Sequence, residues 1–215
     1  MSRRLPVYLL LDTSGSMYGE PIEAVKNGVQ AMFTALRSDP YALETAYVSV
    51  ITFDSKAQQV VPLTEVSSVQ APNISANGYT ALGEALELLA QKIDTEVTKT
   101  TPEVKGDWKP LVFILTDGSP TSDITKGLEA IKKCKIGILV ACAAGADADT
   151  SVLKQITENV VKLDTADSST LASFFKWVTA SVSMGSEKMT ESPAAEMGGT
   201  LDELPAPPSG INIVS

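Results

Sequence analysis

The run Leu5 to Leu11 is apolar without a break and stops at Asp12, where the chain continues Asp12-Thr13-Ser14-Gly15-Ser16. A short, unbroken apolar run predicts a strand covered on both faces, as in a parallel sheet flanked by helices. The end of this strand gathers a carboxylate, serine hydroxyls and a glycine. Such a group of oxygens suits a hard divalent cation such as Mg²⁺, which keeps waters and an open position for a partner's oxygen. The chain contains no histidine. A metal here would therefore be held by oxygen, or by Cys134 and Cys142, and an oxygen-held adhesion site fits better than a zinc enzyme.

The pattern beyond this strand is an alternation of strands and helices. Glu20 to Arg37 reads as a helix, with Ile22, Val25, Val29, Met32, Phe33 and Leu36 on one stripe. Tyr47 to Phe53 and Ala57 to Leu63 read as strands separated only by Asp54, Ser55 and Lys56. That link is too short for a parallel crossover, so the third strand should pair antiparallel as an edge hairpin. A polar loop from Asn73 to Tyr79 precedes a helix carrying Leu82, Ala85, Leu86, Leu89 and Ile93. After a loop from Thr95 to Lys109, the strand Leu111 to Leu115 ends in Thr116-Asp117-Gly118. A helix from Asp123 to Lys133, a strand from Ile136 to Cys142, a helix near Ser151 to Glu158 and a strand near Val160 to Leu163 follow. The last helix spans about Ser168 to Ser183 and turns Leu171, Phe174, Phe175, Val178 and Val182 inward, with Trp177 off that stripe.

This alternation predicts an α/β fold, a doubly wound, mostly parallel sheet with helices on both faces. Right-handed crossovers favour six strands in the order 3-2-1-4-5-6, strand 3 antiparallel at the edge. Strands 1 and 4 are then neighbours, and ligands bind outside their carboxyl ends, where the winding reverses. Asp12 and Asp117 occupy those two ends.

Charge and composition narrow the functions. A net charge of −9 and a pI near 4.6 disfavour a nucleic-acid partner, which calls for a basic face. Met1-Ser2-Arg3-Arg4 has the basic start of a signal peptide, but its apolar continuation is short, holds Pro6 and lacks a cleavage site. No segment reaches the roughly 18 apolar residues of a membrane span. Two cysteines do not make a disulfide framework. The expectation is a reduced, cytoplasmic protein. Beyond Met184 the chain turns rich in proline, glycine and acid, so residues 1–184 are expected to form the domain and 185–215 a mobile tail. Its Leu201-to-Pro205 and Ile211-to-Val214 stretches could dock on this domain or on a partner.

Three loops should meet at the switch point: Asp12, Ser14 and Ser16 from the first, Thr80 from the second, and Asp117 from the third. The pattern D-x-S-x-S, a threonine before a helix, and T-D-G after a strand resembles the metal-ion-dependent adhesion site of von Willebrand factor type A (VWA) domains. The resemblance covers residues 5 to about 183. It implies that Ser14, Ser16 and Thr80 coordinate the metal directly when ligand is bound, with Asp12 and Asp117 acting mostly through waters. A hydroxyl-rich, six-coordinate site suits Mg²⁺ or Mn²⁺ better than Ca²⁺. The chain's length and its Met17-to-Gly28 stretch look most like the TerY-type proteins of bacterial tellurium-resistance loci. That likeness implies a stress-response complex with kinase- or phosphatase-like proteins of the same locus. A protein partner would present Asp or Glu to the metal.

Other readings compete. Asp and Ser also favour turns and helix caps, and Thr80 is well placed to cap a helix. An aspartate at a strand end can be the nucleophile of a Mg²⁺-dependent phosphatase, but that chemistry needs a second aspartate two residues on, where this chain has Ser14. A chelatase- or ATPase-associated subunit would use the same domain beside a motor segment. A Ser-His-Asp hydrolase is excluded, and no G-x-x-x-x-G-K-[ST] phosphate loop occurs. Gly15 is expected to allow the tight first loop, and Gly118 to permit a positive φ beside the site. Tyr79 would either shape the rim of the site or cover its loop. Trp108 is read as an exposed anchor or as packing over the domain edge, and both cysteines as small packing groups.

Overall fold

The computed structural model describes residues 3–146, 148–192 and 196–214. Strands β1 (Leu5–Asp12), β2 (Ala46–Phe53), β4 (Leu111–Thr116), β5 (Ile138–Ala144) and β6 (Val160–Leu163) run parallel. Strand β3 (Ala57–Glu65) pairs antiparallel with β2, closing a hairpin in which the Asp54 N–H donates to Lys56 O at 3.1 Å. A seventh strand, β7 (Ile211–Ile213), adds antiparallel to β6, and the sheet order is β3-β2-β1-β4-β5-β6-β7. The six expected strands and their order are present; the seventh comes from the segment expected to be a tail.

Alternating side chains of the parallel strands feed two cores. Leu9, Leu11, Val48, Val50, Phe113 and Leu115 face helices α1 (Glu20–Ser38), α2 (Pro40–Thr45) and α6 (Ser168–Glu191). Tyr8, Leu10, Ile51, Phe53, Val112 and Ile114 face α3 (Leu82–Glu96), α4 (Thr125–Ile131) and α5 (Thr150–Ile156). Burial on both faces is the reason these strands read as continuous apolar runs. The crossing of α1 and α6 is tight at Gly28, where an added Cβ would stand 2.1 Å from a ring carbon of Phe175. No helix among the described residues is long and apolar enough to cross a membrane.

Helix α6 does not stop near Ser183 but runs on to Glu191. Residues 193–195 and 215, which fall in the expected tail, lie outside the described residues. From Met197 to Ile211 the chain lies against the domain, burying Met197, Leu204 and Ile211 in the α1/α6 core. The Trp177 indole N–H donates to Pro205 O at 2.7 Å, and Asn159 Nδ2 donates to Gly199 O at 2.7 Å. Trp177 sits off the main stripe of α6 yet is only 3% exposed, edge-on to Phe113 at a centroid distance of 6.3 Å. Helix α6 thus buries two faces, one on the sheet and one under the C-terminal segment. Trp108 is buried at the base of the sheet with the Arg3 guanidinium 4.7 Å from its ring centre, so it is no exposed anchor.

Candidate functional site

In-register pairing of Leu11 with Leu115 carries β1 and β4 to the same edge of the sheet, so Asp12 and Thr116 leave it side by side. Asp12 is buried, and both its oxygens accept hydrogen bonds. The Ser14 N–H donates to Oδ1 at 2.8 Å and the Thr116 hydroxyl donates to Oδ2. The Ser14 and Ser16 hydroxyls lie 3.0 Å apart, and Ser16 Oγ donates to Asp117 Oδ1 at 2.7 Å. A continuous polar path therefore links the first and third loops.

The second loop is tied to the first by backbone. Gly15 N donates to Gly78 O at 3.0 Å, and Asn77 N donates to Thr13 O at 2.8 Å. Gly78 takes φ +71°, and a side chain there would run into Ser55 Oγ, so glycine is required on both counts. Gly118, read as permitting a positive φ, is not among the positive-φ glycines. Thr80 is held at both ends by Thr121, whose hydroxyl accepts from Thr80 N at 3.2 Å and whose N–H donates to Thr80 O at 3.1 Å. Helix α3 starts after Ala81 with no side-chain cap, so the Thr80 hydroxyl is not spent on capping. It faces the third loop: a Cβ added to Gly118 would stand 3.9 Å from Thr80 Oγ1.

All five residues expected from the sequence thus come together. Thr116, quoted only as part of the T-D-G pattern, orients Asp12, and Thr121, not named from the sequence, orients Thr80. Only the three-dimensional path shows which oxygen each hydroxyl serves. Tyr79 is 70% exposed at the rim, its N–H donating to Ser55 Oγ at 3.2 Å, and does not cover the loop.

Burial pushes the pKa of Asp12 up, partly offset by the Ser14 and Thr116 hydrogen bonds. Burial likewise raises Asp117, offset by Ser16. None of the ion pairs among the described residues involves either carboxylate. Two desolvated carboxylates with no ammonium or guanidinium bonded to them match the charge of one divalent cation. No cluster of three or more His, Cys, Asp or Glu occurs among the described residues, so an ion here would rely on the hydroxyls of Ser14, Ser16 and Thr80 as well. That donor set, oxygen only, fits Mg²⁺ or Mn²⁺. Cys142 is fully buried, which pushes its thiol far up in pKa, and it serves as core.

The family model of the von Willebrand factor type A domain matches residues 7–176. The chain belongs to the VWA family. An uncharacterized protein of Synechocystis sp., sll0103, is 34% identical over 123 residues, which is 54% of this chain and 26% of that protein. Among solved structures, a VWA protein from Catenulispora acidiphila superposes with a TM-score of 0.63 at 20% identity, covering 85% of this chain and 43% of that one. The ArnB paralog VWA2 from Sulfolobus acidocaldarius gives a TM-score of 0.56 at 12% identity, over 85% of this chain and 45% of that one. These likenesses carry the fold. This VWA chain spans about a quarter of the curated relative and less than half of each of the two structures. The family match ends inside α6, so the packed C-terminal segment lies beyond it.

Proposed function

We propose that this VWA chain is a metal-dependent protein-interaction adaptor without catalytic activity. In this reading a divalent cation, Mg²⁺ foremost, is held by Asp12, Ser14, Ser16, Thr80 and Asp117, and takes a carboxylate from an Asp or Glu of a partner protein. The observation that carries the reading is the pair of carboxylates at the ends of adjacent strands, Asp12 buried and Asp117 half-buried, linked through Ser14 and Ser16 with no ammonium or guanidinium bonded to either. When bound, the ion supplies a Lewis-acidic position for the incoming carboxylate. Neutral hydroxyl ligands leave it more electrophilic than a cage of carboxylates would. Thr116 and Thr121 keep Asp12 and Thr80 oriented, a supporting role that typically changes metal affinity by about 10–100-fold.

The adaptor reading is preferred to a phosphatase because Ser14 stands where an aspartate nucleophile would need its acidic partner. The sequence likeness to TerY-type proteins suggests a cytoplasmic stress-response or tellurium-resistance complex as the setting, with kinase- or phosphatase-like proteins as companions. The test is affinity capture from native lysate with wild type and Ser14→Ala, each in Mg²⁺ and in EDTA. Partners retained only by wild type with Mg²⁺ are expected. The same proteins under all four conditions would refute the metal bridge, and Mg²⁺-dependent phosphate release by the purified chain would refute the non-enzymatic reading.

A further inference from the structure

The chain holds the dipeptide Asn-Gly twice, as Asn27-Gly28 and Asn77-Gly78. In such a pair the glycine nitrogen can attack the asparagine side-chain carbon, because glycine has no Cβ to block the approach. The backbone decides whether it does. Asn27 and Gly28 lie inside α1, where each N–H donates to the carbonyl four residues back. Gly28 is also buried against the Phe175 ring. Although Asn27 itself is exposed, the helical hydrogen bond must break before its neighbour's nitrogen can react.

Asn77-Gly78 is placed differently. It lies in the loop between β3 and α3, and both residues are exposed. Two hydrogen bonds tie the pair to the first loop: Asn77 N donates to Thr13 O at 2.8 Å, and Gly78 O accepts from Gly15 N at 3.0 Å. Neither bond engages the atoms that would react. Among the described residues, no hydrogen bond uses the Gly78 N–H or the Asn77 side-chain amide. The two dipeptides are identical in sequence, and the structure leaves one of them open to reaction.

We propose that Asn77-Gly78 is a site of spontaneous backbone modification at the edge of the metal site. Gly78 N gives up its proton and bonds to Asn77 Cγ, while the Cγ–Nδ2 bond breaks and the side-chain amide leaves as ammonia, taking up that proton. Solvent water then opens the cyclic imide. Addition at Cγ restores the ordinary backbone and leaves an aspartyl side chain. Addition at the backbone carbonyl carbon routes the chain through Cβ and Cγ as an isoaspartyl link. Water enters, ammonia leaves, and nothing is oxidised or reduced. The isoaspartyl link lengthens the backbone by one carbon, about 1.5 Å of chain. That carbon falls between Asn77 N and Gly78 O, the two atoms that tie the second loop to the first. The two bonds can no longer be held together, and the loop carrying Thr80 loosens. This consequence for the ion rests on the metal-site reading; the modification itself does not.

Peptide mapping by mass spectrometry of the full chain, fresh and after several weeks in neutral buffer, tests this, with enzymatic methylation to measure isoaspartyl links. The mass gain of an amide-to-acid change is expected at position 77, with isoaspartyl present, and not at position 27. In denaturant both positions should change. An unaltered position 77, or position 27 changing as fast in the folded chain, would overturn the site. Titration with Mn²⁺ gives a second readout. The isoaspartyl fraction of aged wild type should bind about tenfold more weakly than fresh chain, whereas Asn77→Gln should bind alike fresh and aged. Asn77→Asp, which carries the aspartyl product on an ordinary backbone, should bind at least as well as fresh wild type. Isoaspartyl formation without loss of Mn²⁺ binding would overturn the loosened loop. Fresh wild type that binds no Mn²⁺ would refute the metal-site reading and the consequence drawn from it, while the mass gain at position 77 would still uphold the modification.

Discussion

Asp12 concentrates the energetic tension of the site in one residue. It is buried beside a second carboxylate, its negative charge is met by hydrogen bonds from Ser14 and Thr116 and by no basic group bonded to it, and burial raises its pKa. Buried charge without a counter-charge costs stability. Asp12→Asn keeps an acceptor for Ser14 N and removes the charge. In EDTA this variant should therefore melt at or above the wild-type temperature, and lose the rise in melting temperature that Mg²⁺ gives wild type. Calorimetry in EDTA and in Mg²⁺ checks both arms; a variant that melts lower in EDTA yet still responds to Mg²⁺ would contradict the account. That the loops carrying Asp12, Ser14, Ser16, Thr80 and Asp117 come together was legible because strand ends and the switch point fix where Asp12 and Asp117 must meet. Thr116 and Thr121 were not, since a threonine closing a strand or lying in a loop carries no mark of the oxygen it serves. Gly118, read as permitting a positive φ, does not adopt one, whereas Gly78 in the second loop takes φ +71° and in addition has no room for a side chain beside Ser55.

At the scale of elements, the helix crossings and caps can be tested. Gly28 admits Phe175 where α1 crosses α6. Gly28→Ala should cost about 1–3 kcal/mol by overpacking, read as a lower denaturation midpoint, even though alanine is the better helix former. Unchanged or raised stability would mean the crossing relaxes freely. Asp167 caps α6 by accepting from Thr170 N at 2.8 Å, and that bond foremost holds its pKa below the ordinary value. A folded-state pKa below the unfolded one gives stability that is present above about pH 3.9 and is lost as pH falls through the folded value. The melting temperature of Asp167→Ala should therefore lie below wild type at pH 7, and the gap should close toward pH 3. A gap independent of pH would place its origin elsewhere than the ionised cap. Sequence periodicity located α1, α3 and the strands well, because each has a clear apolar stripe or run. It ended α6 too early because the continuation through Gly185 and Ser186 shows small and polar residues; Gly185 lies against Leu5, Leu111 and Met197, and Ser186 is fully buried. Ile211 to Val214, read as a stretch that could dock on this domain or on a partner, docks on this domain as strand β7; it was not read as a strand because it is too short to signal pairing and its partner β6 is far away in sequence.

Across the whole molecule, the C-terminal segment closes what the family match leaves open. It covers Trp177, adds an antiparallel strand to the β6 edge, and is pinned by Lys109 to Glu196 at 2.6 Å and Lys188 to Glu203 at 3.1 Å. An uncovered β6 edge and an exposed indole would invite association with other chains. Truncation after Ser192 should lower the melting temperature, shift tryptophan emission to longer wavelength and promote self-association in sedimentation. A truncated chain identical to wild type in all three would show the segment to be dispensable. The composition of residues 185–215 signals disorder on average; three buried anchors, Met197, Leu204 and Ile211, are what average composition hides.

The proposed adaptor function requires that the oxygens at the β1 and β4 ends bind a divalent cation. Titration of Mn²⁺ into the EDTA-stripped full chain, with free Mn²⁺ followed by electron paramagnetic resonance and Mg²⁺ as competitor, tests it directly. One Mn²⁺ bound per chain is expected, displaced by Mg²⁺, with binding abolished in the Asp12→Asn, Asp117→Asn double variant. Wild type that leaves the free signal untouched, or a double variant that binds as wild type does, would contradict it.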